Sequence, residues 1–191
     1  ELTQLISIES ERILSLLNRM EHISNNNSRL ECEFINIHEV LNHCRRVAQI
    51  SFGTKLEYIE DYDPSLPKLF ANKNLLIQII LNLFKNSSEA STIDGKIKIK
   101  TSFNSNKIIS FSKEDLPITL PLQIEIIDYG KGISNQMLPN IFDPFVSSKK
   151  EGKGLGLSIV ASGLEEMSAV IDVSSQPGST NFCINFPLKK L

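Results

Sequence analysis

Apolar residues recur every seven positions at Ile6, Ile13 and Met20, with a second seam at Leu2, Leu16 and Ile23 that Glu9 interrupts. Two seams at heptad spacing predict one helix over 1–24, packed against other helices in a bundle or coiled coil, or docked alone on the domain that follows. Asn25-Asn26-Asn27-Ser28 ends it, because such side chains compete for backbone hydrogen bonds. A second helix is predicted from Asn36, with Glu39 three residues on in a capping-box arrangement, to about Phe52, where Gly53 stops it. A strand over 55–60 closes at Asp63-Pro64-Ser65-Leu66-Pro67. A third helix runs from near Lys73 to about Ala90, with Leu76, Ile79, Ile80, Leu83 and Phe84 on its apolar face.

Beyond that helix the period changes. Asp94-Gly95 is a hairpin signal. Lys96-Ile97-Lys98-Ile99-Lys100 alternates strictly, as a half-buried strand does, with the lysines on its solvated face. Residues 103–121 are polar with two prolines and read as an irregular insert holding a short strand over 108–111. Leu122-Gln123-Ile124-Glu125-Ile126-Ile127 is a strand ending at Asp128, followed by a turn and a short helix. Residues 145–153 read as a mobile loop, 155–167 as a helix, and 170–175 and 180–186 as strands joined by Gln176-Pro177-Gly178-Ser179. This order is neither regular βαβα nor all-β. It predicts a layered α/β sandwich of the α+β class, with helices on one face of a mixed sheet.

Composition narrows the function. The 191 residues carry a formal net charge of −2, with 41% hydrophobic and 22% charged residues, as expected of a globular chain with a real core. The charge argues against a nucleic-acid partner. The longest apolar run, 75–83, is interrupted by Gln78 and Asn82, so no membrane segment is expected. Three scattered cysteines form no disulfide framework and fit a reducing cytoplasm. His43 and Cys44 are adjacent and share no helix face, a poor start for a zinc site. The chain opens on Glu1 inside a helical pattern, which reads as a fragment of a longer protein.

Four segments carry candidate chemistry. Asn82 and Asn86 stand one above the other at the border of an apolar helix face. They are either satisfied amides or oxygen ligands of Mg²⁺ shared with phosphates. Asp128, followed by Gly130 and Gly132, places a carboxylate at the rim of a sheet, where it can accept from an exocyclic amine while the glycines let a flat ligand approach. Gly152, Gly154 and Gly156 precede a helix, as in a phosphate cradle, but without the apolar strand of a dinucleotide-binding turn. Lys149 and Lys150 lie in the polar loop before them.

Together, and in order, these segments are specific. Asn82-Leu83-Phe84-Lys85-Asn86, Asp128-Tyr129-Gly130-Lys131-Gly132, Ile141-Phe142-Asp143-Pro144-Phe145 and Gly152-Lys153-Gly154-Leu155-Gly156 resemble the four nucleotide-binding boxes of the bacterial histidine kinases, within the wider family of gyrase and the Hsp90 chaperones. Pro177-Gly178-Ser179-Thr180 resembles the closing glycine-threonine motif, and the likeness spans 34–191. Asn36-Ile37-His38-Glu39-Val40-Leu41, Asp63-Pro64-Ser65-Leu66-Pro67 and the insert before Leu122 resemble the nitrogen-regulation (NtrB-type) sensor kinases.

The resemblance implies a Bergerat ATP-binding fold over 34–191. It also implies that 1–30 is the second helix of a dimerising hairpin with its linker. Asn86 would ligate Mg²⁺ with Asn82 in support, the pair serving catalysis. Asp128 would accept from adenine beside Gly130 and Gly132. Phe142 and Phe145 would anchor a lid. Gly152, Gly154, Leu155 and Gly156 would wrap the triphosphate of ATP, with Lys149 reaching it and Thr180 near the adenine. The implied partners are a response-regulator receiver domain and a second copy of the chain. Two positions depart from the family: Tyr129 stands where Asn is usual, and Lys131 where Pro is frequent.

The family's phosphate acceptor is a histidine in a His-Glu-x-x-Asn-Pro pattern. His38-Glu39-Val40-Leu41-Asn42 imitates its start, but His43 follows instead of Pro, and Asn82 comes only 44 residues later. His38 is therefore read as a first-turn helix residue and His22 as a helix-end residue. The acceptor is expected upstream of Glu1, which leaves these residues able to bind ATP but not to phosphorylate themselves. A serine-directed kinase of the same fold and a non-catalytic nucleotide-binding module are the competing readings.

Overall fold

The computed structural model describes residues 31–53, 56–91, 95–109, 118–147 and 154–188. The chain divides into two units, Glu1–Glu31 and Cys32–Leu191. The helix expected over 1–24 and its heptad seams lie outside the described residues.

The second unit is built on a five-stranded sheet in the order β2-β4-β7-β9-β8. Its strands are β2 (Glu57–Asp61), β4 (Lys96–Phe103), β7 (Leu122–Asp128), β8 (Val170–Gln176) and β9 (Ser179–Phe186). β2 and β4 run parallel, and the other neighbours run antiparallel. Three helices, α1 (Ile37–Ser51), α2 (Lys73–Ala90) and α3 (Gly156–Glu166), form the second layer. α2 lies in the middle of that layer, packed on α1, α3 and β7, while α3 rests on β8. The mixed sheet with helices on one face is the expected α+β sandwich.

Alternation along each strand makes the core. Ile97, Ile99 and Thr101 of β4, Leu122, Ile124 and Ile126 of β7, and Phe182, Ile184 and Phe186 of β9 are buried. The helices answer with Ile37, Val40, Leu41, Cys44 and Ala48 of α1 and with Leu75, Leu76, Ile79, Ile80, Leu83 and Phe84 of α2. Phe84 is fully buried and meets the Tyr58 ring edge-on at 5.8 Å. At Gly163 of α3 a Cβ would press within 3.0 Å of Ile79 Cδ1, so its absence lets α3 sit close on α2.

Asn36 caps its helix as predicted, and the structure adds Asn72 as the cap of α2. Asn36 accepts from the His38 amide at 3.0 Å, and Asn72 accepts from the Leu75 amide at 2.8 Å. α1 ends where the Phe52 and Gly53 amides both return to Ala48 O. His38 is a packed first-turn residue: its ring stacks on Tyr62 at 4.9 Å, and Nε2 lies 3.0 Å from Thr101 Oγ1. Burial lowers its pKa, against the pull of Asp63.

The structure bears on three sequence expectations. Of Asp94-Gly95 only Gly95 is described; helix α2 ends at Ala90 before it, and β4 then pairs in parallel with β2. The lysines of β4 do face outward, but each meets an acid: Lys96 with Glu57 at 2.9 Å, Lys98 with Asp61 at 2.8 Å and Lys100 with Glu125 at 2.9 Å. The short strand expected over 108–111 is present as β5 (Ile108–Ile109), paired with β6 (Ile118–Thr119), while 110–111 lie outside the described residues. The pattern also missed a two-stranded ribbon, β1 (Glu33–Ile35) with β3 (Leu69–Ala71), because three-residue strands are too short to show a period.

Removing the largest side chain under the sheet tests this core. Phe84→Ala is expected to destabilise the chain by about 3–5 kcal/mol, read as a lowered urea midpoint at unchanged slope.

Candidate functional site

β7 places its inward side chains at Leu122, Ile124, Ile126 and Asp128. The fourth is a carboxylate where the alternation calls for a hydrocarbon, and it is 1% exposed. In the sheet register it stands between Ile97 of β4 and Thr180 of β9. Among the described residues no charged side chain acts on it. Burial raises its pKa, while the Gly130 amide, which donates to Oδ1 at 3.0 Å, and the nearby Ser87 hydroxyl pull it back down. The result is a buried acceptor without a counter-charge at the carboxyl end of a central strand.

The turn after Asp128 is held from both sides. A Cβ on Gly130 would collide with the Ala90 carbonyl at the end of α2, and the Lys131 amide donates to that carbonyl at 3.2 Å. Gly132 has a φ of 77°, and a Cβ there would strike the Gln176 carbonyl. The Ile133 amide donates to Ser175 Oγ at 2.8 Å, and that oxygen lies 2.9 Å from Thr180 Oγ1. Thr180 is 2% exposed, so its hydroxyl is fixed beside Asp128 by a two-hydroxyl relay. Tyr129 and Lys131, the two departures, are exposed and leave this buried row intact.

Asn82 and Asn86 lie half-buried on α2, as their spacing predicts. Asn82 Nδ2 donates to Gln78 O at 2.9 Å. A Cβ added to Gly156, the first residue of α3, would lie 3.4 Å from Asn82 Oδ1 and 3.6 Å from Asn86 Nδ2. The first turn of α3 therefore opens onto the two carboxamides. Among the described residues no side chain caps that turn, and Ser158 Oγ returns to Leu155 O at 2.9 Å; the first amides of α3 have no partner inside the helix. Asn86 Nδ2 is buried without a partner as well. Free amides and a positive helix end beside an unsatisfied carboxamide suit an anionic ligand.

The same donor set defines what cation the site suits. Among the described residues no three His, Cys, Asp or Glu side chains converge. A cation here would take carboxamide oxygen plus oxygens of its ligand, which fits Mg²⁺ and not Zn²⁺.

Phe142 packs half-buried against the core, while Phe145 is 69% exposed with a φ of 69°. The Phe145 amide donates to Gly154 O at 2.8 Å. Gly154 has a φ of 65°, and a Cβ there would strike the Phe145 backbone. The phenylalanine segment and the glycine segment are thus tied together at the entrance to α3. Lys149 and Gly152 lie outside the described residues. The structure brings Asn82, Asn86 and Gly156 together at one end, and Asp128, Gly130, Gly132 and Thr180 at the other. Sequence reasoning missed Ser87 and Ser175. Ser175 was legible as the residue opposite Thr180 across the Gln176–Ser179 turn.

Comparison with known proteins agrees with this geometry. Residues 71–190 match the model of a family described as histidine kinase-, DNA gyrase B-, and HSP90-like ATPase. The chain is 42% identical over 188 residues to the sensory histidine kinase/phosphatase NtrB of Azospirillum brasilense, covering 98% of this chain and 47% of that protein. It is 38% identical over 193 residues to the NtrB of Rhizobium meliloti, covering 99% and 50%. The chain spans about half the length of these curated relatives. Its fold is shared with the mycobacterial sensor histidine kinase MprB, at a TM-score of 0.68 and 20% identity over 83% of this chain and 100% of that one. It is shared also with full-length ShkA in complex with AMPPNP, at 0.74 and 21% over 96% of this chain and 37% of that one.

The buried carboxylate has a signature of its own. Its folded pKa lies above the unfolded value of 3.8, so its contribution to stability is greatest below pH 3.8 and declines as pH rises through the folded pKa. Asp128→Asn is expected to remove that decline and to raise the melting temperature of the nucleotide-free chain at pH 7 relative to wild type, measured by calorimetric scans from pH 4 to 7.

Proposed function

The chain belongs to the histidine kinase-, DNA gyrase B-, and HSP90-like ATPase family, and from that premise we propose that residues 34–191 are the ATP-binding catalytic domain of a sensor histidine kinase of the nitrogen-regulation kind. One observation carries the reading: the only acid in the buried inward rows of β4, β7 and β9 stands at the rim of the sheet, at the same end of α2 as the carboxamides facing α3. The adenine amine donates to Asp128, in a wall shaped by Gly130, Gly132 and Thr180. The triphosphate runs toward Asn86 and Asn82 and meets the amides at the start of α3, with Gly152, Gly154, Leu155 and Gly156 around it and Lys149 within reach. Phe142 and Phe145 hold the segment that covers it. Asn86, supported by Asn82, offers oxygen to Mg²⁺. That ion would neutralise charge on the phosphates.

What these residues do for transfer is bind and orient. A carboxylate fixes one end of the nucleotide and a helix terminus the other, so the terminal phosphate is presented in a constant place. The receiver of that phosphate is a histidine outside these 191 residues. His38 is occupied with Tyr62 and Thr101 inside the fold, and about half the length of the relatives lies beyond the matched region. Residues 1–30 supply the second helix of the hairpin that pairs two copies of the protein, and the phosphate passes on to a response-regulator aspartate in the cytoplasm. This stretch alone binds ATP and does not phosphorylate itself.

Calorimetric titration with ATP, with and without Mg²⁺ and with GTP as control, tests the reading. ATP is expected to bind, GTP not, and Mg²⁺ to strengthen binding. Asp128→Ala should weaken ATP by roughly tenfold to a hundredfold. Asn86→Ala should remove most of the Mg²⁺ effect while leaving adenosine affinity in place. No binding at millimolar ATP, or an Asp128→Ala variant that binds like wild type, would sink the assignment.

A further inference from the structure

The turn of α2 that carries Asn86 carries one more polar side chain, and the nucleotide reading gives it no task. Ser87 is fully buried, and its hydroxyl has no hydrogen-bond partner among the described residues. A helical serine ordinarily returns its hydroxyl to the carbonyl four residues earlier. Ser51 does so to Val47 O at 2.7 Å, and Ser91 to Ser87 O at 2.8 Å. Ser87 does not. One residue beyond Asn86 it is turned about 100° around the helix, so where Asn86 looks toward Gly156, Ser87 looks toward the end of β7. One turn further on, the Ala90 carbonyl holds the Lys131 amide at 3.2 Å, and a Cβ on Gly130 would meet that carbonyl and lie 3.0 Å from Asp128 Oδ1, so this face of α2 lies against the turn that carries Asp128; a hydroxyl there favours the ionised carboxylate.

The surroundings of Asp128 leave little else for that role. Ile97 flanks it in β4. The Thr180 hydroxyl in β9 is engaged with Ser175. The Gly130 amide supplies one donor to Oδ1. Lys85 and Glu89 of α2 and Lys131 of the turn are exposed. Ser87 is thus an additional hydroxyl buried on the face of α2 that meets the Asp128 turn, with no hydrogen-bond partner among the described residues.

We propose that Ser87 is a positioning residue for the purine end of the site: when nucleotide is bound, its hydroxyl donates to the Asp128 carboxylate and keeps that group an acceptor aimed at the exocyclic amine of adenine. The inference deepens the nucleotide reading and rests on it. Its consequence is selectivity. Adenine presents an amine donor at this edge, and guanine presents a carbonyl acceptor. An ionised carboxylate accepts from the first and repels the second, whereas a protonated carboxyl can donate to the second. Burial pushes Asp128 toward the protonated form. The Ser87 hydroxyl pushes it back, and without it the Gly130 amide acts alone.

Ser87→Ala deletes only the hydroxyl and leaves the packing of α2 in place, so the variant is expected to fold and to melt close to the wild-type temperature. Carbon-detected NMR of the Asp128 carboxyl, without nucleotide, should show its titration midpoint moved to higher pH. ATP should bind about two- to tenfold more weakly at neutral pH, the acid limb of its affinity profile should move to higher pH, and the preference over GTP should narrow. An Asp128 midpoint unmoved by the substitution, or an ATP profile identical to wild type, would overturn the role of Ser87 while leaving ATP binding by the wild type intact. A wild-type chain that binds no ATP would overturn both readings.

Discussion

A carboxylate set in the last inward slot of a central strand constrains everything around it. Ionised carboxylates rarely survive inside a protein without a cationic partner. Asp128 has none among the described residues and depends on donors that the backbone supplies. The glycine turn that follows exists to bring one of them, the Gly130 amide, to Oδ1. For that amide to arrive, the chain must pass so near the end of α2 that no side chain fits at Gly130, and so near β8 that none fits at Gly132. The position of α2 over β7, and so the position of Asn82 and Asn86, is tied to the same contact through the Ala90 carbonyl.

That coupling makes one helix the ruler of the site. Its last turns carry the two carboxamides, Ser87 and the carbonyl that receives Lys131. Its middle carries Ile79, against which Gly163 of α3 is seated. α3 can therefore approach only at the place where its uncapped first turn looks at Asn82 and Asn86. A helix end with free amides would be a defect in a protein that binds nothing. Here it lies opposite a buried amide group that also lacks a partner.

Much of this was legible in the residue order, for physical reasons that differ from place to place. The range of α1 followed from Asn36 as cap and Gly53 as stop, that of α2 from a long apolar period, and β7 from strict alternation that ends in an acid. The order of the four motifs pointed to the family. What the sequence hid is what depends on distant pairing. Asp94-Gly95 looked like a hairpin because the pair is judged by its own conformational preference, while the parallel partner of β4 lies across α2 in sequence. The lysines of β4 read as solvated because their acids belong to β2 and β7. Ser87 drew no notice, since only the fold brings its face of α2 against the Asp128 turn.

The two ends of the site differ in kind, and the difference bears on how such a domain works. Asp128, Thr180 and Ser175 are fixed by strand registers and buried hydroxyls, which leave little freedom for the base they would recognise. The other end is made from a helix terminus and from Phe145 and Gly154. Both of these residues have left-handed backbone, and one hydrogen bond clasps them together. Phe145 holds that conformation with its ring exposed to solvent, against the preference of an aromatic residue, so burial of the ring is not what keeps it there. On the nucleotide reading proposed above, base selection would fall to the strand registers and phosphate handling to the helix terminus and the Phe145–Gly154 clasp. A fixed anchor at one end would let the other rearrange without losing the nucleotide, as transfer of a terminal phosphate to a separate residue demands.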